Sequence, residues 1–232
     1  MEDIVLEKIS RKIAENYDDV KKYFYGKSDS EILEEAKRQR DYGNGSNAFI
    51  KNGTLYSKIS FNKFRVTSVL NYIFNNRTFG NIVGIKKGDE INLYEKSFPN
   101  QLRKMMMGNR LHEIAEKYAL TLNHFSVEEN LSAVIDNDIV VGRLDLADKN
   151  TIIDIKTGKL HEDLAKMQLA IYSHIYSLKH GINGNINIAV VSPVAILKDV
   201  ADKEFMDSYI RRFAEAKRGM KEELKDVKLY EF

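Results

Sequence analysis

The most regular hydrophobic pattern in the chain lies between residues 101 and 191, where helical and strand periods alternate in blocks. Leu102, Met105 and Met106, Leu111, Ala115, and Tyr118 and Ala119 recur at three- and four-residue intervals, predicting a long helix over 101–122 with one buried stripe. The period then shortens. Ser126–Ile135, Ile139–Ala147 and Thr151–Lys156 read as strands joined by the turns Asp136-Asn137-Asp138 and Asp148-Lys149-Asn150, an antiparallel meander. Leu164, Met167, Ile171, Ile175 and Leu178 restore the helical period over 162–179, with Gln168 and Tyr172 along the edge of that stripe. Asn185–Val191 is an apolar run ended by Ser192-Pro193, the pattern of a buried strand. The order helix, three strands, helix, strand predicts an α/β core with a mixed sheet. The crossover helix allows the last strand to pair in parallel with an earlier one.

The flanks are less regular. Ile4 and Val5, Ile9, Ile13, Tyr17, Val20 and Phe24 predict an amphipathic first helix. Ser28-Asp-Ser-Glu31 has the form of a capping box, opening a second helix through about Arg40. Tyr42-Gly-Asn-Gly-Ser-Asn47 reads as a loop, and 75–90 as turns punctuated by Gly84 and Gly88. Tyr56–Phe64 settles on neither period. Thr67 or Ser68 would cap a short helix over 69–74, and Phe205, Tyr209, Phe213, Ala216 and Met220 predict a closing helix over 202–225. Two regions follow: a mostly helical N-terminal extension, 1–100, packed on the core, and 101–232, the α/β core with its C-terminal helix.

Composition narrows the functions available. The 232 residues are 43% hydrophobic and 30% charged, material for a globular core. There is no cysteine, which excludes disulfides, thiolate-held metals and cysteine-ligated iron–sulfur clusters. No segment approaches the roughly 20 apolar residues of a membrane span, and the start lacks a signal-peptide pattern, so no membrane partner and a cytoplasmic location are expected. The net charge of +2 means that contact with nucleic acid would rest on local patches.

The chemistry concentrates in the last two strands of the meander. In Thr151-Ile-Ile-Asp-Ile-Lys156, Asp154 and Lys156 alternate with Ile153 and Ile155. A two-residue turn at Lys149-Asn150 would set Asp145 opposite Asp154 and Arg143 opposite Lys156, all on one face. Leu144, Leu146, Ile153 and Ile155 would then share the other face. Facing like charges destabilise a sheet, so the two carboxylates call for a cation, and carboxylates beside a phosphate-binding lysine suit a hard divalent ion. On the strand pair alone a second reading stands equally open: two cross-strand ion pairs on a wet sheet face.

The wider set of motifs resembles the PD-(D/E)XK nucleases, specifically their RecB-like exonuclease branch. Gly108, His112 and Glu116, then Gly142-Arg-Leu-Asp145, then Asp154-Ile155-Lys156, then Gln168-Leu-Ala-Ile-Tyr172 stand in the family's order across residues 105–192, with a weaker likeness at Val66-Thr-Ser-Val-Leu70. The resemblance implies a restriction-endonuclease-like αβββαβ core. It implies that His112, Asp145, Asp154 and the main-chain carbonyl of Ile155 hold Mg²⁺ or Mn²⁺, with Glu116 a further candidate. Lys156 would orient the attacking water and stabilise the phosphate, with Gln168 and Tyr172 supporting it or touching the DNA backbone, and Arg143 on a phosphate. Members of this branch often carry an iron–sulfur cluster on four cysteines. This chain has none, which sets it beside the cluster-free phage, viral and mitochondrial-maintenance exonucleases.

The function so implied is metal-dependent hydrolysis of DNA phosphodiesters in recombination, repair or replication, as an exonuclease on ends or single strands. The partner is DNA, and the location is the host cytoplasm if the chain is viral. The alternatives are a non-catalytic DNA-binding or assembly subunit that keeps the fold, and an endonuclease or RNase of the same superfamily. The sequence does not give polarity, strandedness, protein partners or oligomeric state.

Overall fold

A computed structural model of the chain describes residues 3–42, 48–51, 54–60, 63–74, 83–87, 90–96, 99–122, 125–158 and 160–225. In order, the elements are α1 (Asp3–Tyr25), α2 (Asp29–Tyr42), β1 (Ala48–Lys51), β2 (Thr54–Ser60), β3 (Lys63–Arg65), α3 (Val66–Phe74), β4 (Val83–Lys87) and β5 (Glu90–Lys96). They continue with α4 (Pro99–Thr121), β6 (Ser126–Ile135), β7 (Asp138–Asp148), β8 (Thr151–Ile155), α5 (Glu162–His180), β9 (Ile186–Val191), β10 (Ile196–Ala201) and α6 (Lys203–Lys225). The strands form one mixed sheet in the order β10-β9-β8-β7-β3-β2-β5-β4, with β1 on β2 and β6 on β7. β8 and β9 pair in parallel through the α5 crossover. The αβββαβ order expected over 101–191 is the observed order of α4 to β9.

Alternation along β9 sorts the core into two layers. Ile186, Ile188 and Val190 pack with α3, α5 and α6, while Ala189 and Val191 pack with α1, α2 and α4. Burial of these apolar faces is the main favourable term holding helices to sheet. In α4 the stripe falls where its spacing put it, on Leu102, Met106, Leu111, Ala115 and Ala119. In α5 the buried face is broader than the stripe read from sequence: Gln168 and Tyr172 are inside, whereas Leu178 is 60% exposed. The capping box is present, with Glu31 Oε2 accepting from Ser28 N at 2.8 Å and Ser28 Oγ from Glu31 N at 3.3 Å.

Residues 1–100 depart from the helical extension expected of them. Among the described residues they carry, besides three helices, the five strands β1 to β5, and β3 pairs in parallel with β7, joining this region to the core sheet. Tyr56–Phe64, which showed neither period, contributes β2 and β3. Part of 75–90, read as turns, is β4, with Gly84 inside it, and β5 follows from Glu90. The apolar positions of β2 (Leu55, Tyr56 and Ile59) do not alternate, and β3 is only three residues long, so neither shows a strand period. α3 starts at Val66, so Thr67 and Ser68 lie in its first turn rather than capping it. β10 was likewise unread. Most of the Gly-Asn-Gly-Ser loop, and Gly88, lie outside the described residues.

Candidate metal centre

The turn Lys149-Asn150 does set the expected register: Asp148 pairs with Thr151, Ala147 with Ile152 and Leu146 with Ile153. There the β7–β8 ladder ends, so Asp145 and Asp154 are not a ladder pair. The expected single face also breaks at this point. Leu144 lies in the α3/α5/α6 layer, but Leu146, Ile153 and Ile155 lie in the α1/α2/α4 layer. Leu144 and Leu146 are two residues apart yet face opposite ways, because the β6–β7 ladder is interrupted between them. It pairs Val127 with Leu146 and Glu129 with Leu144 but skips Glu128, whose φ of 56° is left-handed. Arg143 correspondingly does not face Lys156. It is exposed and pairs with Glu128 at 3.0 Å.

This break turns Asp145 toward α4. Asp145 Oδ2 accepts the amide of Ile155 at 2.6 Å and stands 3.1 Å from His112 Nε2. One turn on, Glu116 Oε1 stands 3.3 Å from His112 Nδ1, the neighbour relation of residues four apart on a helix. Gly108 brings this part of α4 close to the chain after Lys156, since a Cβ there would meet Thr157 Oγ1 at 3.1 Å. Arg110 and Lys117, possible surface partners for Glu116, both pair with Glu113 instead.

Asp154 and Lys156 form a second cluster with α5. Gln168 bridges them, donating from Nε2 to Asp154 Oδ1 at 2.8 Å and accepting Lys156 Nζ at Oε1 at 2.9 Å. Lys156 Nζ lies 2.7 Å from Asp154 Oδ2. Tyr172, one turn beyond Gln168, packs over Gly142 so closely that a Cβ there would come within 2.4 Å of its ring. Gly142 is what admits that ring. The cation that paired carboxylates call for is thus supplied, within the protein alone, by His112 on Asp145 and by Lys156 on Asp154.

The electrostatics follow from burial and these contacts. Burial pushes the Asp154 carboxyl up to about 6, against the pull of Lys156 and with the repulsion of Asp145. Burial would lower His112, but contact with the carboxylates of Asp145 and Glu116 carries it up to about 10. Asp145, despite its burial, is held below the usual carboxylate range by His112 and the Ile155 amide. Lys156 is raised by Asp154 although buried, and burial followed by the two aspartates raises the Tyr172 phenol.

The donor set fits a divalent ion. Ligand atoms of His112, Glu116 and Asp145 all lie within 4.8 Å of one another. Glu116 Oε1 and Asp154 Oδ2 are buried with no partner in hydrogen-bond alignment, although His112 Nδ1 lies 3.3 Å from the first and Lys156 Nζ 2.7 Å from the second. Two carboxylates and an imidazole suit Mg²⁺ or Mn²⁺. Of the residues expected at the site, His112, Glu116, Asp145, Asp154, Lys156, Gln168 and Tyr172 are brought together; Ile155 enters through its amide, and Arg143 lies at the margin. Glu128, which holds Arg143, was not anticipated, because its role depends on a backbone break that no local pattern announces.

Fold and site together define a mixed α/β protein with a partly buried carboxylate–imidazole cluster at the point where two central strands part. No protein-family model matches this chain, and no curated protein matches it. A solved structure described as "Crystal structure of SSO0001" is similar at 16% identity and a TM-score of 0.47, covering 84% of this chain and 87% of that one, a likeness too distant to speak to function. Among the described residues, no helix is long and apolar enough to cross a membrane.

Proposed function

We propose that this chain is a PD-(D/E)XK nuclease of the RecB-like exonuclease branch, with a restriction-endonuclease-like core, hydrolysing DNA phosphodiesters at ends or in single strands. The observation that carries this reading is the convergence of His112, Glu116 and Asp145 within ligand distance, beside the buried Asp154–Gln168–Lys156 bridge. His112, Glu116 and Asp145 would hold Mg²⁺ or Mn²⁺, with Asp154 and the Ile155 carbonyl completing the oxygen set. A bound divalent ion supplies Lewis acidity for activating water and neutralising charge on the phosphate. Gln168 fixes the Lys156 ammonium and the Asp154 carboxylate relative to each other. That leaves Lys156 in place to hold a phosphate oxygen or the incoming water as charge builds, and positioning of this kind carries most of phosphoryl transfer. Asp154, with a value near 6, is mostly ionised at neutral pH and ready to act as a ligand.

The test is cleavage of end-labelled linear DNA and of circular DNA in Mg²⁺, Mn²⁺ and EDTA. Release of end label that needs metal and spares circular duplex would support the exonuclease reading. Absence of cleavage with either ion would refute the nuclease.

A further inference from the structure

Gly108 is a glycine that its own helix does not call for. It lies in the interior of α4, where glycine is less favourable than alanine because it has more backbone freedom to lose on folding. Its φ is not in the left-handed region that would require glycine. The space beside it is also nearly empty. Beyond the backbone of α4 and the two adjacent residues, a Cβ built at Gly108 would have one atom within 4 Å among the described residues, Thr157 Oγ1 at 3.1 Å. That atom is the tip of a half-buried side chain, free to turn aside. Gly142 is the contrasting case, since the Tyr172 ring occupies the place of its missing side chain. At Gly108, α4 carries a notch bordered by one hydroxyl.

The notch adjoins the metal centre. Gly108 and His112 are four residues apart on α4, so they share a face and stand about 6 Å apart along its axis. On the sheet side, Asp145 holds the amide of Ile155, and the Ile155 side chain faces the α1/α2/α4 layer. Thr157, two residues on, reaches α4 on that same side, while Lys156 between them reaches Gln168 on α5. The exit of β8 therefore presents a hydroxyl toward one helix and an ammonium toward the other. Thr157 Oγ1 has no hydrogen-bond partner among the described residues. A hydroxyl can donate to a phosphate oxygen, and the notch gives such an oxygen room.

We propose that the notch at Gly108 seats an oxygen of the phosphodiester handled at the metal centre, with Thr157 Oγ1 donating to it across from Lys156. Thr157 is then a substrate-binding residue, and Gly108 serves the substrate rather than the helix, because any side chain there would stand in the oxygen's place. This inference rests on the nuclease reading and extends it to how the substrate is held.

The test uses binding of a short single-stranded DNA in Ca²⁺ to wild type, Gly108→Ala, Thr157→Val and Thr157→Ser. Gly108→Ala and Thr157→Val should each bind about tenfold more weakly, the scale of a hydrogen bond to a charged group. Thr157→Ser, which keeps the hydroxyl, should stay close to wild type. Mn²⁺ affinity without DNA should be unchanged in all three. The melting temperature of Gly108→Ala should equal or exceed that of wild type, since alanine is the better residue inside a helix. Wild-type affinity in either Gly108→Ala or Thr157→Val would overturn the proposal. A lowered melting temperature in Gly108→Ala would overturn it too, by showing that the glycine serves close packing against Thr157. Cleavage in Mg²⁺ and Mn²⁺ is scored separately. Wild type that shows the Gly108- and Thr157-dependent binding but cleaves nothing would sink the nuclease reading and leave the notch standing. Metal-dependent cleavage with a wild-type KM in both variants would do the reverse.

Discussion

Manganese binding at this centre should release a proton from His112. In the metal-free chain Asp145 and Glu116 hold the imidazolium up to about 10 from its ordinary 6.5. A metal ligand must be neutral imidazole, so Mn²⁺ has to displace that proton. At pH 7 the displacement weakens apparent affinity by about 1,000-fold, or about 4 kcal/mol, relative to a chain already deprotonated. Affinity should therefore rise about tenfold per pH unit between about pH 6.5 and 8.5. Below about 6 the slope should steepen, because Asp154 must then lose a proton as well. The sign for stability is opposite. The folded value of His112 lies above its unfolded one, so its contribution to the metal-free chain is full below 6.5 and lost as pH climbs through about 10. Calorimetric Mn²⁺ titrations in buffers of different ionisation enthalpy read both affinity and proton count. Wild type should release close to one proton at pH 7.5, and His112→Ala should show a nearly flat pH profile above about pH 7. A flat profile in wild type, or an unchanged slope in His112→Ala, would refute the placement of His112 on the metal.

Three further outcomes are expected. Asp154→Asn, which keeps an acceptor for Gln168, and Lys156→Ala should each lower cleavage by about 100-fold or more, with a cooperative melt retained; near-wild-type turnover in either would remove it from the chemistry. Gly142→Ala forces a methyl against the Tyr172 ring and should cost about 1–3 kcal/mol in urea denaturation, and combining it with Tyr172→Leu should recover part of that; additive losses would show that the ring is not what the methyl meets. Lys217 is fully buried, with Nζ donating to Ile135 O at 2.7 Å, Asp136 O at 3.0 Å and Asp138 Oδ2 at 2.6 Å. Lys217→Met strands those acceptors, leaving Asp138 only Lys221, and should cost about 3 kcal/mol; a loss under about 1 kcal/mol would mean water replaces the ammonium readily.

Much of the site could be read from local pattern. The elements from α4 to β9, and the β7–β8 register, follow from periods of two and 3.6 and from a short turn, each expressed within a few neighbouring residues. Asp145, Asp154 and Lys156 stand out from strand alternation and the short turn, whereas His112, Gln168 and Tyr172 are singled out only by the resemblance of their motifs to the PD-(D/E)XK nucleases. Glu116 could be named but not placed, since a helix offers it either a surface lysine or the interior, and only the packing of α4 on the sheet decides between them. Arg143 was set on the wrong face because alternation was extended through Asp145, where the β6–β7 ladder breaks.

What the amino-acid order determined by itself was therefore the local structure and the inventory of chemistry: which segments are helix or strand through the core, the absence of thiolates, and the carboxylates, imidazole and lysine available. Tertiary structure decided their relations. It laid the three residues of β3 against β7, turned Asp145 toward His112, and buried Gln168 between Asp154 and Lys156. These contacts join residues far apart in sequence, and their stability comes from desolvation and alignment that exist only once the sheet and its two helical layers have closed. No short-range period encodes them.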